Sequence, residues 1–517
     1  MSTHRIWQAA CTLPIVLAFS LATFAATDRV RVYVVYKEGQ HSNAARALAA
    51  AGAEVHYNFV GLRGYSISLP AVALEGLTRN PAIEYVEEDP KRYPMAQQTP
   101  YGIIMVQANQ VSDSAAGGST VCIIDSGIDQ NHEDLAGNLL NGHSDPGGAG
   151  NWYTDENHHG THVAGTIAAL NNALGVAGVT PNGYLNVFIV KVFDAEGWAY
   201  SSTLVDALNR CVAGKTTGSN LIVSMSLGGS LKSRFEETAF GDAYASKNVL
   251  SVAAAGNDGN SRYSYPASYS SVISVAAIDV NQVRASFSQY NKQVELAAPG
   301  VGVLSTVLMG TGTTATVSVN GLAPEADAME GSSLATASGA LVNCGTGEAS
   351  CAGAAGKVCL IQRGTNTFAE KVLNCQTGGG VAAVIYNNVD GALLGTLGGV
   401  ATSIPSVGIS KADGETLVAQ QLGQTATVSV AASNYAKFDG TSMATPHVSA
   451  VAALVWSYYP TCTNAQVRNV LDATAKDLGA AGRDVYYGYG LVQAKAAYDR
   501  LAAGDCRGPI AGGKGKP

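Results

Sequence analysis

Residues 438–447 read Phe-Asp-Gly-Thr-Ser-Met-Ala-Thr-Pro-His and place Ser442 at the start of a predicted helix. Gly440 permits a close approach of the backbone to another chain. Pro446 is expected in the first helical turn, where its missing N–H would have no partner in any case. The free N–H groups and the positive dipole end beside Ser442 favour a developing negative charge. A serine that merely caps the helix is the alternative, and two further segments argue against it.

Two upstream segments supply the other groups of a nucleophilic site. Residues 121–129 (Val-Cys-Ile-Ile-Asp-Ser-Gly-Ile-Asp) begin as a buried parallel strand ending at Asp125, and sites form at this end of open α/β sheets. Residues 158–166 (His-His-Gly-Thr-His-Val-Ala-Gly-Thr) start a helix of small residues at His159. A serine, a histidine that takes its proton and a carboxylate that orients the histidine form a nucleophilic triad. We therefore expect Asp125, His159 and Ser442 to meet.

Strands and helices alternate around these motifs. After Asp125, helices are predicted at 159–170 and 202–213, and strands at 186–192 and 221–225. This alternation is typical of a parallel sheet with helices on both faces. The fold class is therefore α/β.

In this order, Asp-Ser-Gly, His-Gly-Thr-His and Gly-Thr-Ser-Met-Ala-Thr-Pro-His resemble the motifs of the subtilisin family of serine endopeptidases. The resemblance covers most of residues 96–310 and 436–500. It implies a subtilisin-like sheet, polypeptide substrates and an acyl-enzyme mechanism. In that mechanism Ser442 attacks, His159 transfers protons and Asp125 orients His159.

The resemblance also assigns groups around the nucleophile. Asn257, at the end of a buried apolar run, would donate to the oxyanion together with the backbone N–H of Ser442. A turn asparagine that bonds its own backbone is the alternative. The edge that pairs with the substrate backbone would consist of Ser226, Leu227 and Gly228.

A calcium site follows from the same resemblance. Residues 170–176 resemble the family loop that binds Ca²⁺ through backbone carbonyls and an asparagine oxygen. Several oxygens in a flexible cage suit this ion, and a plain helix-exit loop is the alternative. The implied ligands are Gln97, Asp134, Leu170, Asn172, Leu174 and Val176.

The N-terminal part indicates export and maturation. A short basic region and an apolar stretch mark residues 1–26 as a signal peptide, with an uncleaved anchor as the alternative. Residues 28–95 show a β-α-β-β-α-β pattern that resembles the ferredoxin-like propeptide of subtilases, an intramolecular chaperone and inhibitor. Alignment with the mature start of the family puts the cleavage between Met95 and Ala96. A small domain retained in the mature enzyme is the alternative.

An insert interrupts the catalytic domain. Residues 308–435 separate its two parts, 96–307 and 436–506, where a short loop would suffice. The insert resembles a mainly-β protease-associated domain, which is a non-catalytic lid or binding module. Residues 507–517 are expected to form a flexible tail. Asp439 replaces the asparagine common in the family and adds negative charge near the nucleophile.

Composition agrees with an exported protein. The chain of 517 residues is 47% hydrophobic and 14% charged, and its net charge of −8 offers no basic footprint for nucleic acid. An even number of cysteines outside the signal segment favours disulfides. Local spacing suggests pairs 344–351, 359–375 and 462–506, leaving 122–211, for which buried free thiols are the alternative.

These observations predict a secreted, monomeric, calcium-stabilised endopeptidase made as a precursor, without a membrane anchor in its mature form. Two other classes were considered: an inactive binding protein on the same scaffold, and an esterase acting on non-peptide substrates. The complete triad argues against the first, and the substrate-pairing edge argues against the second. No His-Glu-x-x-His pattern accompanies the clustered histidines, so a zinc site is not expected.

Overall fold

The computed structural model describes residues 29–89, 97–145, 148–194, 197–504 and 506. The predicted signal peptide, the Met95–Ala96 bond and the tail 507–517 lie outside these residues. The chain divides into two compact units, residues 1–94 and 95–517.

The first unit is an antiparallel sheet with two helices. Its elements are β1 (Arg29–Tyr36), α1 (His41–Ala50), β2 (Glu54–Phe59), β3 (Gly64–Pro70), α2 (Leu74–Thr78) and β4 (Ile83–Glu88). The sheet order is β2-β3-β1-β4, and alternate β1 residues such as Val32 and Val34 are buried. This is the predicted β-α-β-β-α-β pattern, except that the second helix opens with a 3₁₀ turn at Ala71–Ala73.

The second unit is built on a parallel sheet. Its first elements are α3 (Tyr101–Met105), β5 (Ser119–Asp125), β6 (Leu139–His143), α4 (His159–Ala168), β7 (Asn186–Lys191), α5 (Ser201–Gly214), β8 (Asn220–Met225), α6 (Arg234–Ser246), β9 (Val249–Ala254), β10 (Val272–Ile278), β11 (Val294–Pro299) and β12 (Val303–Thr306). Seven strands pair in the order β11-β10-β9-β8-β5-β7-β6, all parallel. The chain order reverses around β5, so the carboxyl end of β5 is the switch point where such sheets form sites.

The insert forms a second sheet of mixed direction. Its elements are β13 (Gly312–Val319), β14 (Ala326–Ala328), β15 (Thr336–Asn343), β16 (Val358–Gln362), α7 (Phe368–Thr377), β17 (Ala382–Tyr386), β18 (Ser406–Ile409), α8 (Lys411–Gln420) and β19 (Thr425–Ser433). The strand order is β13-β19-β15-β16-β17-β18-β14. Apolar side chains cover both faces of this sheet, so the insert has its own core.

The chain then returns to the catalytic domain. The remaining elements are β20 (Tyr435–Phe438), α9 (Thr441–Tyr458), α10 (Asn464–Thr474) and α11 (Ala494–Ala502). β20 pairs antiparallel with β12, so the insert leaves and returns through one two-stranded ribbon. α9 is buried over most of its length in the core. Within the described ranges, no helix combines the length and apolar character that a membrane span requires.

Burial on both faces explains why the central strands are continuously apolar. All of β5 is buried. Val121 and Ile123 face the core that contains α4 and α9, whereas Cys122 and Ile124 face the core that contains α5 and α6. The predicted parallel sheet with helices on both faces is thereby confirmed.

Four disulfides pair the cysteines as the spacing suggested. They join Cys344 to Cys351, Cys359 to Cys375, Cys462 to Cys506, and Cys122 to Cys211. The alternative of free thiols at residues 122 and 211 is therefore wrong, and that bond ties β5 to α5.

Candidate active site

Asp125 and His159 meet at the carboxyl edge of the sheet. Asp125 ends β5, His159 begins α4, and His159 Nδ1 lies 2.8 Å from Asp125 Oδ1. α4 packs against α9, whose second residue is Ser442. The Ser442 hydroxyl donates to the Ser226 carbonyl at 3.1 Å. Thus Asp125 and His159 are hydrogen-bonded to each other, while the hydrogen bond described for the Ser442 hydroxyl is made to Ser226, at the end of β8.

A buried network holds the acid–histidine pair. Asp125 Oδ1 also accepts from the Ser126 N–H at 2.8 Å, and the Ser126 hydroxyl donates to Asp155 at 2.8 Å. Asp155 in turn accepts from the backbone N–H groups of His158 and Thr161 at the start of α4. Asp155 therefore fixes the helix start that carries His159. This role of Asp155 was not predicted, although an acidic residue just before a predicted helix is a known start signal.

Electrostatics at His159 favour its charged form. Burial opposes the imidazolium, but the charge of Asp125 and its hydrogen bond outweigh burial and raise the pKa of His159 above its ordinary value. Because Nδ1 is engaged by Asp125, Nε2 is the nitrogen left to exchange a proton with another group. The side chain is 25% exposed, so a reacting molecule can reach it.

Two hydrogen-bond donors converge beside Ser442. Asn257 Oδ1 accepts from both the N–H and the hydroxyl of Thr441, each at 2.9 Å, which fixes the amide plane. A Cβ built on Gly440 would lie 3.5 Å from Ser442 N and 3.6 Å from Asn257 Nδ2. Both donors therefore border one space that a side chain at residue 440 would fill. Thr441 is a further site residue that sequence patterns did not single out.

Pro446 corrects one expectation. It does not lie in the first turn of α9, because the helix already begins at Thr441. In the helix interior, the missing N–H leaves the carbonyl four residues earlier, that of Ser442, without its usual donor. The Ser226 hydroxyl donates to this carbonyl at 2.6 Å. A side chain from the end of β8 thus completes the helix at Ser442.

The predicted substrate edge leaves the core beside Ser442. Ser226 is buried, Leu227 half-buried and Gly228 exposed, so the backbone reaches the surface at this point. A Cβ on Gly228 would overlap the Ser264 hydroxyl. The absence of a side chain at Gly228 keeps this backbone close to its neighbours and leaves the edge open.

Comparisons with known proteins decide the family. A model of the subtilase family matches residues 116–342 and 380–490, and a model of the PA domain matches residues 335–417. The chain belongs to the subtilase family. This subtilase is 29% identical over 514 residues to Subtilisin J of Geobacillus stearothermophilus, with 96% of this chain and 100% of that protein covered.

Two further relatives agree. The subtilase is 41% identical over 257 residues to the alkaline protease of Alkalihalobacillus alcalophilus, covering 49% of this chain and 64% of that one. It also resembles the crystal structure of the psychrophilic subtilisin-like protease Apa1 from the Antarctic psychrotroph Pseudoalteromonas sp. AS-11. That match has a TM-score of 0.69 and 44% identity, covering 80% of this chain and 100% of the other. The subtilase is therefore a serine endopeptidase that acts on polypeptides and carries an inserted PA domain.

The residues expected to bind calcium gather around Asp134. Asp134 is fully buried, and its Oδ2 accepts from the Val176 N–H at 2.8 Å. Among the described residues, its Oδ1 has no hydrogen-bond partner. Gln97 Nε2 donates to the carbonyls of Leu170 and, at 3.0 Å, Val176. A buried carboxylate oxygen left unpaired beside a loop that offers backbone carbonyl oxygens fits a hard cation such as Ca²⁺.

Asn172 and Leu174, the remaining expected ligands, contact each other within the loop. Asn172 Oδ1 accepts from the Leu174 N–H at 2.9 Å, which places both residues in the same turn. Burial raises the pKa of Asp134, and the hydrogen bond from the Val176 N–H together with the neighbouring Asn172 and Tyr435 side chains offsets part of that rise. Tyr435 belongs to β20 and was not expected at this site.

Asp439 and His447, which flank Ser442 in the sequence, make contacts of their own. The Asp439 carboxylate accepts from the Gly302 N–H at 2.7 Å, and burial raises its pKa. His447 is buried, its Nδ1 lies 2.9 Å from the Met443 carbonyl, and burial lowers its pKa to about 4. His447 therefore packs in the core.

Proposed function

We propose that this subtilase is made as a secreted precursor and, once matured, hydrolyses peptide bonds through Ser442, His159 and Asp125. The observation that carries the proposal is the 2.8 Å hydrogen bond between His159 Nδ1 and Asp125, next to the helix start that bears Ser442. The paired donors around Gly440 support the same assignment.

The proposed reaction follows from these positions. Ser442 Oγ attacks the substrate carbonyl carbon and passes its proton to His159 Nε2. The negative oxygen is held by the Ser442 N–H and the Asn257 amide. His159 then protonates the leaving amine as the acyl–Ser442 ester forms. Water, deprotonated by His159, releases the acid and restores the serine. Asp125 orients His159 and stabilises its cation throughout.

Alanine variants test this assignment. Ser442→Ala, His159→Ala and Asp125→Ala are processed in trans by removable wild-type enzyme and then assayed on casein and on a peptide anilide. Each is expected to lose most activity, and the combined variant little more, because the three groups act as a unit. Ser457→Ala on the same helix is the matched control and should stay active. Near wild-type hydrolysis by correctly folded Ser442→Ala would exclude the mechanism.

Maturation is proposed to remove residues 1–26 on export and then residues up to Met95. The β-α-β-β-α-β fold of the first unit supports an inhibitory propeptide. N-terminal sequencing of the secreted enzyme should give Ala96 as the first residue. Active enzyme that begins near Ala26 would contradict this proposal, and purified Ser442→Ala precursor that matures alone would exclude self-processing.

The mature enzyme is proposed to bind one Ca²⁺ through side chains of Gln97, Asp134 and Asn172 and through carbonyls of Leu170, Leu174 and Val176. The ion would neutralise the buried Asp134 carboxylate and crosslink the loop to the N-terminal segment. Since it binds only the folded state, chelation should lower the melting temperature. Asp134→Ala should abolish most of this calcium effect, whereas Asp279→Ala, in a turn elsewhere on the domain, should keep it. An unchanged calcium titration in Asp134→Ala would reject the site.

The PA insert is proposed to control access of large substrates. Its ends lie on β12 and β20, and β20 leads directly to the segment bearing Ser442. Deletion of residues 308–435 should therefore reduce hydrolysis of proteins more than that of short chromogenic peptides. Equal proportional losses on both substrates, in a variant shown to be folded, would instead indicate a role in stability.

A further inference from the structure

The insert returns to the catalytic domain through two residues, Asn434 and Tyr435, which we name the insert base. The Asn434 carbonyl accepts from the Val307 N–H at 2.9 Å and lies 2.9 Å from His132 Nε2. Its side-chain oxygen accepts from the Gly310 N–H at 2.9 Å. The insert base thus binds the outgoing stem of the insert and, through His132, the segment that leads to Asp134.

The Glu133 carboxylate binds both residues of the insert base to the segment that leads to Asp134. Glu133 Oε1 accepts from Asn434 Nδ2 at 2.9 Å and from the Tyr435 hydroxyl at 2.8 Å. Glu133 directly precedes Asp134, and its own carbonyl accepts from Asn172 Nδ2 at 3.0 Å. The side chain of Glu133 therefore points to the insert, while its backbone contacts the proposed calcium loop.

The Tyr435 ring contacts both His132 and the proposed calcium loop. It packs edge-on against His132, with 5.3 Å between ring centroids. On its other side it occupies the space over Gly175, where any Cβ would overlap the ring. Gly175 has φ of +42°, a backbone conformation that most side chains disfavour, so the loop is shaped to accept this ring.

We propose that the insert base is an outer layer of the calcium site: Tyr435 and Glu133 hold the Asp134 segment against loop 170–176, so that calcium affinity depends on how the insert is attached. The proposal rests on the calcium site described under the proposed function. Groups that orient a metal ligand without touching the metal commonly change affinity by 10–100-fold when they are removed. Because the coupling of two equilibria is reciprocal, bound calcium would equally stabilise the junction of the insert.

Calcium binding to the mature enzyme tests this layer. The protease is first inactivated with a serine-directed sulfonyl fluoride to prevent autolysis, stripped with a chelator, and titrated calorimetrically with Ca²⁺. Tyr435→Phe keeps the ring over Gly175 and removes only its hydroxyl, and Glu133→Gln keeps the shape and removes the charge. Tyr458→Phe, whose lost hydroxyl contacts the Ser112 carbonyl at 2.8 Å and the Ser114 hydroxyl at 3.3 Å, is the matched control.

We expect the calcium dissociation constant to rise about 10-fold in Tyr435→Phe and in Glu133→Gln, and to stay unchanged in Tyr458→Phe. The melting temperature in chelator should fall no further in Tyr435→Phe than in Tyr458→Phe. An unchanged dissociation constant in both test variants, with Asp134→Ala still abolishing binding, would overturn the outer layer and leave the calcium site intact. Undiminished binding by Asp134→Ala would overturn the calcium site itself and the outer layer with it.

Discussion

The Ser442 carbonyl offers a sharp test of how the proposed nucleophile is supported. Pro446 deprives this carbonyl of its helical donor, and the Ser226 hydroxyl replaces that donor at 2.6 Å. Ser226→Ala removes the replacement and leaves a partly buried carbonyl unpaired. A lost hydrogen bond costs about 1 kcal/mol, and an unpaired buried acceptor about 1–3 kcal/mol. We expect Ser226→Ala to destabilise the mature enzyme by about 2 kcal/mol.

A second change should repair the first. In Pro446→Ala the new N–H can donate to the Ser442 carbonyl four residues earlier, as in a regular helix. The double variant Ser226→Ala/Pro446→Ala should therefore recover about 1 kcal/mol of the loss. The two substitutions should be strongly non-additive, since both act on one carbonyl oxygen.

Unfolding rates in denaturant are the suitable assay, because a protease that unfolds irreversibly is characterised by a rate. All four variants carry the same sulfonyl group on Ser442, so its effect cancels in the cycle. A destabilisation of about 2 kcal/mol corresponds to unfolding up to about 30-fold faster in Ser226→Ala, provided that the bond between the Ser226 hydroxyl and the Ser442 carbonyl is absent in the transition state. Strictly additive effects of Ser226→Ala and Pro446→Ala would refute the account of the orphaned carbonyl.

Three further outcomes are expected. In the proposed mechanism, activity requires neutral His159, and Asp125 raises the pKa of His159 against the opposing effect of burial. In Asp125→Asn the acid limb of kcat/KM against pH should therefore move to lower pH, besides a loss of rate. Burial lowers the pKa of His447 from 6.5 to about 4, so between these pH values the unfolded state binds a proton that the folded state does not. The melting temperature should therefore fall as the pH drops from 6.5 toward 4, and the melting temperature of His447→Gln should fall less steeply over that range. The Cys122–Cys211 bond closes a loop of 89 residues, a crosslink that contributes up to about 4.6 kcal/mol, so the double serine variant should unfold faster in denaturant, measured on inhibited enzyme.

The sequence predicted the elements that local pattern determines. β5 is apolar throughout because both of its faces are buried, and that continuity is visible in the sequence. Three motifs located Asp125, His159 and Ser442, since each lies at the end of a regular element. The two cysteine pairs closest in sequence, 344–351 and 359–375, were also predictable from spacing, because short loops close readily.

The supporting contacts were not predictable because they join distant parts of the chain. Ser226 and Ser442 are 216 residues apart, and Thr441 and Asn257 are 184 apart. Periodicity and spacing report on one element at a time and carry no information about such pairs. The position of Pro446 was misjudged for a related reason: the helix start is set by Gly440 and its contact with β11's end, where its N–H donates to the Gly300 carbonyl at 2.8 Å.

The ribbon formed by β12 and β20 bears on how such an enzyme acquires new modules. Val303 pairs with Phe438 and Thr306 with Tyr435, so the ends of the insert are held as neighbours by the host. For an unstructured loop, each doubling of length between such ends adds only about 0.6 kcal/mol of closure entropy. A module with its own core and adjacent termini adds less, since most of its chain is already ordered. The ribbon is thus a position where the insert can be replaced by another compact domain. It is also a position where the chain can be opened for circular permutation.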